Sequence, residues 1–95
     1  MAAKRILHLS LEREWFDDIA LGVKRFELRK HKPYWTKRLE GRDFDVVKFR
    51  NGYASDAPEM IVEYRGLGRD GPARNADYAI KLGKVLKITR WRRKG

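Results

Sequence analysis

The stretch Gly22-Val23-Lys24-Arg25-Phe26-Glu27-Leu28-Arg29 marks the point where the sequence changes from a helical to a strand-like pattern. A glycine directly after an amphipathic segment ends a helix with little strain, because it adopts the left-handed conformation. The residues from Val23 to Lys30 then alternate and predict the second strand. One face of it is expected to carry Lys24, Phe26 and Leu28, and the other Arg25, Glu27 and Arg29. Such a strand on the wall of a cleft is able to hold an anionic ligand, and a solvated edge strand is the alternative.

Length and composition limit the classes of protein that this chain can represent. Its 95 residues fit one small domain. The chain has no cysteine, which excludes disulfides, thiolate metal sites and thiol nucleophiles. No apolar run reaches the roughly 18 residues of a membrane span, and Ile6 to Leu11 is too short for the apolar core of a signal peptide. We therefore expect a cytoplasmic domain without metal or cofactor.

The charge of the chain is its strongest compositional signal. Lysine and arginine number 23 against 13 acids, for a net charge of +10. Residues 23–50 contain ten bases and four acids, and residues 81–95 contain seven bases and no acid. Clustered bases on a small domain are typical of polyanion binders. The sequence thus predicts RNA or another single-stranded nucleic acid as the partner of a monomer or weak dimer.

The N-terminal third predicts a strand followed by a helix. Lys4 to Leu11 alternates leucine with polar residues, which is the strand period. The helix is expected to begin at Ser10 or Leu11, with Ser10 as its cap, and to run to about Leu21. Trp15 and Phe16 fall on its apolar side. Both are therefore expected in the core.

The remainder predicts one short helical segment and three further strands. Pro33 breaks the second strand, and one or two helical turns follow. Gly83 interrupts the last strand and indicates a bulge or bend. The turns are expected at Tyr34–Leu39, the strands at Phe44–Arg50, Met60–Leu67 and Tyr78–Trp91, and a frayed basic tail at about 89–95. Five or six strands, one main helix and a short helical turn favour an α+β domain built as a small mixed β-barrel.

Aromatic residues interleaved with bases point to a nucleic-acid groove. Tyr34 and Trp35 lie between Lys32 and Lys37, and grooves for single strands combine cations with stacking rings. The alternative is that Trp35 plugs one end of the core. An Asn-Gly turn follows the third strand and is able to present side chains to a ligand. The candidate nucleic-acid-binding residues are Lys24, Arg29, Lys32, Tyr34, Trp35, Arg50 and Asn51.

The pattern Gly22-x-Lys24-x-x-Glu27-x-Arg29, preceded by a strand and a helix, resembles the ASCH domain of the PUA-like superfamily. The resemblance covers about residues 5–88. It is supported by the stretches Leu7–Leu11, Lys32–Trp35, Phe49–Tyr53 and Tyr78–Leu86. It implies a small PUA-like barrel with helices at its ends and a cleft beside the motif strand. Proteins of this kind mostly bind RNA or read a single modified base.

The resemblance also implies two enzymatic alternatives. One ASCH branch hydrolyses N4-acetylcytidine with a lysine, a threonine and a glutamate. Lys24 matches its lysine, but Glu27 stands where the threonine is expected, and neither Thr36 nor Thr89 matches. Other ASCH proteins are described as nucleases, so the second alternative is a metal-independent ribonuclease.

A ribonuclease of that kind needs a cation beside the phosphate and groups that transfer protons. Lys24 or Arg29 supplies the cation in this hypothesis, and Glu27, Tyr53 or His8 the proton transfer. His8 is otherwise an ordinary strand residue. The candidate catalytic residues are thus Lys24, Glu27 and Tyr53. A fourth hypothesis is an accessory protein whose charge only keeps it near nucleic acid.

Overall fold

The computed structural model describes residues 4–92. In chain order the elements are β1 (Ile6–Ser10), α1 (Arg13–Ala20), β2 (Phe26–Arg29), α2 (Pro33–Leu39), β3 (Val46–Arg50), β4 (Glu59–Arg69) and β5 (Tyr78–Thr89). The α+β class and the five strands are as the sequence predicts. The predicted short helical turn is a seven-residue helix, nearly as long as the eight-residue α1.

The strands form one curled, half-barrel sheet in the order β1-β3-β4-β5-β2. β1 and β3 run parallel, and the other neighbours are antiparallel, so the sheet is mixed. β1 and β2 are its edges. A side chain links these edges, since the Arg29 Nη2 donates to the Ser10 carbonyl oxygen at 2.9 Å.

One apolar cluster fills the inside of the sheet. β1 alternates exposed and buried residues, as its leucine pattern predicts. Phe16 and Ile19 of α1 and Leu39 of α2 pack onto the same cluster and are almost fully buried. The central strands supply Val47, Phe49, Met60, Val62, Tyr78 and Ile80.

The start of α1 differs from the prediction. Ser10 does not cap the helix, because it is the last residue of β1 and pairs with Arg50. The Leu11 N–H also donates to the Arg50 carbonyl at 2.9 Å, so the ladder holds the backbone extended past Ser10. Glu12 takes the cap position without a side-chain hydrogen bond, and the helix begins at Arg13.

The end of α1 is as predicted. Gly22 has φ +78°, and its N–H donates to the Ile19 carbonyl at 3.0 Å. The Val23 N–H donates to the Asp18 carbonyl at 2.9 Å. These two bonds form a Schellman motif, which directs the chain from the helix into β2.

The bulge indicated by Gly83 lies in β5. Leu82 pairs with Tyr64, and Val85 pairs with Val62. Two β5 residues, Gly83 and Lys84, therefore stand opposite Glu63 alone. A Cβ on Gly83 would collide with the Arg65 side chain, so the bulge and Arg65 pack tightly together.

The C-terminal segment docks onto α1 instead of fraying. The Trp91 indole N–H donates to Asp17 Oδ1 at 2.8 Å, and the Arg13 guanidinium donates to the Arg92 carbonyl. Trp91 is also partly buried against the core. The predicted frayed tail is thus wrong through Arg92, and residues 93–95 lie outside the described residues.

Candidate functional site

The face of β2 that turns inward is the charged one. Glu27 is only 6% exposed, while Phe26 is 46% exposed. Glu27 pairs with Ile80 across the ladder, and Ile80 is fully buried. Because residues directly opposite each other share a face, this register fixes Glu27 on the core side. Glu27 and Phe26 lie on opposite faces of the strand, as the alternation predicts. The face of Phe26 is the outer one, however, and the face of Glu27 is the one that meets the core.

The Glu27 carboxylate is held between two cations. Its Oε1 lies 2.9 Å from Lys24 Nζ, and its Oε2 lies 2.8 Å from Arg29 Nη2. The side chains of the two cations are each 19% exposed. A buried carboxylate is tolerated when it is paired in this way. Lys24 precedes β2, so strand alternation does not govern its direction.

Each of these cations lies over a tryptophan ring. Lys24 Nζ is 4.6 Å from the Trp15 ring centroid, and the Arg29 Cζ is 4.9 Å from the Trp35 ring centroid. Such cation–π contacts fix both the charge and the ring. The sequence predicts residues 24, 27 and 29 as neighbours of a ligand, and the structure brings them together between two aromatic side chains.

Trp15 is not a core residue, contrary to the prediction. It is 42% exposed, while the adjacent Phe16 is fully buried. Neighbouring residues of a helix point about 100° apart, so α1 directs Phe16 and Ile19 into the core and Trp15 toward Lys24. The position of Trp15 next to Phe16 is the feature of the sequence that indicates an exposed Trp15, because two successive helix residues do not point in the same direction.

The charged residues Lys24, Glu27 and Arg29 and the two tryptophans line two adjoining hollows of about 570 and 400 Å³. Both hollows are lined by Trp15, Glu27 and Leu28. The first lies on the Lys24 side, with Phe26 at its rim. The second lies on the Arg29 side and includes Ser10 and Trp35. We call the two together the Glu27 cleft. It offers hydrogen-bond donors, the carboxylates of Glu12, Asp18 and Glu27 as acceptors, and aromatic walls, which suit a flat polar ring.

Asn51 supports the rim of this cleft from behind. Its Nδ2 donates to the Leu11 carbonyl at 2.9 Å, and its backbone N–H donates to the Pro58 carbonyl at 3.0 Å. Leu11 lines the Arg29 side of the cleft, whereas Asn51 does not. Asn51 therefore holds the backbone of Leu11 in position at the edge of the cleft.

Arg50 and Tyr53 lie in a different hollow, of about 310 Å³, on the outer side of β1 and β3. We call it the Arg50 hollow, and its polar side chains are His8, Ser10, Lys48, Arg50, Tyr53 and Glu59. Tyr53 is 88% exposed. The structure thus separates Tyr53 from Lys24 and Glu27, and only Ser10 lines both the Arg50 hollow and the Glu27 cleft among the described residues.

A carboxylate dominates the electrostatics of the Arg50 hollow. Partial desolvation raises the pKa of the Glu59 carboxyl. Three cations outweigh this effect and leave the pKa below its ordinary value, namely Lys48, Arg50 and Arg90. Glu59 therefore offsets part of the positive charge of this hollow, whose lining cations are Lys48 and Arg50.

Tyr34 and Lys32 lie apart from both hollows. Tyr34 is 60% exposed and lines a hollow of about 510 Å³ with Arg38 and Phe44. The Arg38 Cζ is 5.2 Å from the Tyr34 ring centroid. Lys32 is exposed at the start of α2. The predicted aromatic pair stays in contact, with the Tyr34 and Trp35 ring centroids 4.9 Å apart in an edge-to-face arrangement. The two rings line different hollows, however, since Trp35 lines the Glu27 cleft and Tyr34 the hollow beside Arg38.

Two general searches of the described residues add no further site. Residues 4–92 contain no group of three histidine, aspartate or glutamate side chains placed to hold a metal ion. Within the same range, no helix is long and apolar enough to cross a membrane. Comparisons with protein-family models, with curated proteins and with solved structures gave no match.

Proposed function

We propose that this protein binds RNA as a single strand and that one base of the strand occupies the Glu27 cleft. The observation that carries the proposal is the row Lys24–Glu27–Arg29, held between Trp15 and Trp35 on a chain of net charge +10. The same residues carry the resemblance to the ASCH domain, and we propose membership of that family with them.

The row presents a donor, an acceptor and a donor in succession. The lysine and the arginine only donate hydrogen bonds, and the carboxylate only accepts them. A nucleobase edge also combines donors and acceptors, and its flat face stacks on aromatic rings. The cleft therefore supports recognition of a base more than of a bare phosphate, which has no donor for Glu27.

The charge of the chain supports a polymer as the ligand. Cations that neutralise phosphates release counterions and give affinity without sequence preference. The absence of cysteine from the sequence suits the reducing cytoplasm as the place of action. We propose that the protein acts there as a monomer or weak dimer.

Fluorescence anisotropy with a labelled single-stranded oligoribonucleotide tests the proposal. Trp15→Ala and Trp35→Ala should each weaken binding by about 5- to 150-fold, since stacking contributes about 1–3 kcal/mol per base. Leu86→Ala removes an exposed apolar side chain from β5 outside the cleft and should leave affinity unchanged. Affinity should also fall steeply with salt. Equal effects of all three variants, or a flat salt response, would contradict the proposal.

The Lys24–Glu27 contact favours a hydrolase as the second candidate function. The two groups are 2.9 Å apart, which is within reach for proton transfer in a cleft that admits a base. Incubation with N4-acetylcytidine, and separately with labelled RNA and EDTA, detects either reaction. Product that disappears in both Lys24→Ala and Glu27→Ala would establish an enzyme, whereas product that persists in both would identify a contaminant.

A further inference from the structure

A basic hollow of about 530 Å³ lies next to the Glu27 cleft, at the bulge of β5. Its charged lining is entirely cationic and consists of Lys24, Arg25, Arg65 and Lys84. Its apolar lining includes Ile19 and Leu82. We call it the bulge hollow. None of Arg25, Arg65 and Lys84 belongs to the candidate residues predicted from the sequence.

Two of the four cations form no ion pair within the described part of the chain, although the Lys84 backbone N–H and, more weakly, its charge lower the pKa of the neighbouring Glu63 carboxyl. Lys24 pairs with Glu27 at 2.9 Å, and Arg65 pairs with Glu63 at 3.0 Å. Arg25 and Lys84 form no ion pair with any residue in the 4–92 range. Both are exposed, so their charges are available to a ligand from solution.

The Arg50 hollow is less suited to an anion. The Glu59 carboxylate is part of its lining and lies 3.6 Å from Lys48 and 2.8 Å from Arg90. A phosphate entering there meets this negative charge beside the two lining cations, Lys48 and Arg50. In the bulge hollow the paired carboxylates are not part of the lining.

The Arg50 hollow meets the Glu27 cleft at Ser10, and the bulge hollow meets it at Lys24. This residue lines both, and its ammonium lies at the Glu27 carboxylate. In a nucleic acid the phosphate is joined to the base through one sugar. A base in the cleft therefore places its own or the next phosphate close to the cations of the adjoining hollow.

We propose that the bulge hollow binds the sugar–phosphate backbone of the strand whose base occupies the Glu27 cleft. The backbone thus leaves the cleft over Lys24 toward Arg25 and Lys84, and not toward Arg50 and Tyr53. This proposal rests on the proposed function, because it takes a nucleic acid as the ligand.

The test compares two double variants that remove the same charge. Arg25→Ala/Lys84→Ala removes the two unpaired cations of the bulge hollow. Arg74→Ala/Lys87→Ala removes an exposed arginine and an exposed lysine that line none of the hollows described above. Affinity for a labelled single-stranded oligoribonucleotide is measured over a series of salt concentrations. Arg25→Lys/Lys84→Arg, which keeps both charges, is the rescue variant.

We expect the bulge variant to bind more weakly, with a slope of log affinity against log salt that is smaller by about 1.4, or about 0.7 for each lost single-strand contact. The control and rescue variants should keep the wild-type slope. If the bulge variant also keeps the wild-type slope while Trp15→Ala and Trp35→Ala weaken binding, the proposed path of the sugar–phosphate backbone is wrong. The proposed function then stands.

Two other outcomes separate the proposals further. If the bulge variant binds more weakly and with a smaller salt slope while the tryptophan variants bind normally, the bulge hollow is a polyanion site. In that case the proposal that a base occupies the Glu27 cleft is wrong. If the wild-type protein does not bind the oligoribonucleotide, both proposals fall together.

Discussion

Glu27 combines burial with a full set of charged partners, and its replacement should therefore reduce stability sharply. In Glu27→Gln the amide keeps the shape, but Lys24 and Arg29 lose their counter-charge inside the cleft. Breaking a buried pair by removing one partner costs about 3 kcal/mol or more. We expect a decrease of about that size in the free energy of unfolding, measured by urea denaturation.

Glu40→Gln is the matched control for this experiment. It removes the carboxylate of a solvent-exposed pair with Arg69, at 2.9 Å. Exposed pairs contribute about 0–1 kcal/mol, so the free energy of unfolding should change little. Similar losses in the two variants would contradict the special role of burial at Glu27.

The pKa of Glu59 predicts a dependence of stability on pH. Lys48 and its neighbours lower this pKa in the folded protein below its ordinary value of about 4.3. The ionised group therefore stabilises the fold above about pH 4.3, and the contribution is lost as the pH falls through the folded-state pKa. Glu59→Gln should be less stable than wild type at pH 7, and the gap in urea midpoint should narrow toward pH 3.

Lys48→Met provides the control for the pH series. Removing Lys48 takes away one of the charges that lower the pKa of Glu59. The variant should lose less stability than wild type between pH 7 and pH 3. A gap between wild type and Glu59→Gln that is constant over this range would show that Glu59 is not responsible.

At this scale the sequence predicts the charged part of the candidate site better than its walls. Glu27 and Arg29, two residues apart in one strand, share a face as predicted. Lys24 precedes β2 and pairs with Glu27, although the alternation assigns it to the opposite face. Trp15 needs knowledge of which helical face meets the core, and that depends on packing against distant strands. The charge of a side chain can be read from the sequence itself, whereas the burial of a side chain depends on the packing of the whole fold.

Among the elements, the segment after β5 stabilises α1 from outside the sheet. Trp91 bonds to Asp17 and packs partly against the core. Trp91→Ala should therefore lower the free energy of unfolding by about 2 kcal/mol, below the 3–5 kcal/mol of a fully buried tryptophan. Thermal or urea unfolding measures the change.

Trp91→Phe separates packing from the hydrogen bond. It keeps a ring against the core and loses only the indole donor, so a cost of about 1 kcal/mol is expected. Wild-type stability in Trp91→Ala would show that the segment is not docked in solution.

The elements themselves are largely predictable, and their exact ends are less so. Leucines at every second position of β1 and the glycine after α1 determine these elements locally. Ser10 misleads because serine suits a helix cap, yet pairing with Arg50 extends β1 through it. The partner strand lies 40 residues away, so no local pattern reveals it.

For the whole molecule, the edge strand β2 and the internal strand β3 differ in how firmly they are held. β2 is four residues long and pairs only with β5, whereas β3 lies between two neighbours. Local opening requires the least free energy at elements with few partners. Amides of β2 should therefore exchange with deuterium faster than those of β3, measured by native-state exchange and NMR.

Arg29→Ala sharpens this experiment. It removes both the hydrogen bond to the Ser10 carbonyl that links the edges and the ion pair with Glu27, so exchange should accelerate more in β2 than in β4. Uniform acceleration in all strands would instead indicate global unfolding.

The sequence predicts the class of the whole molecule, because the number and order of strands restrict a small domain to few architectures. It does not predict which candidate residues meet. Arg50 ends β3 and Tyr53 follows the strand, and both line the hollow on the outer side of β1 and β3, away from Glu27.

The pairing of β2 with β5 has a consequence for biosynthesis. The two strands are separated by about fifty residues of chain, and such distant contacts form late. A nascent polypeptide leaving the ribosome contains Lys24, Glu27 and Arg29 long before β5 exists to order them. The Glu27 cleft therefore forms only after β5 has been synthesised, and shorter translation intermediates lack it.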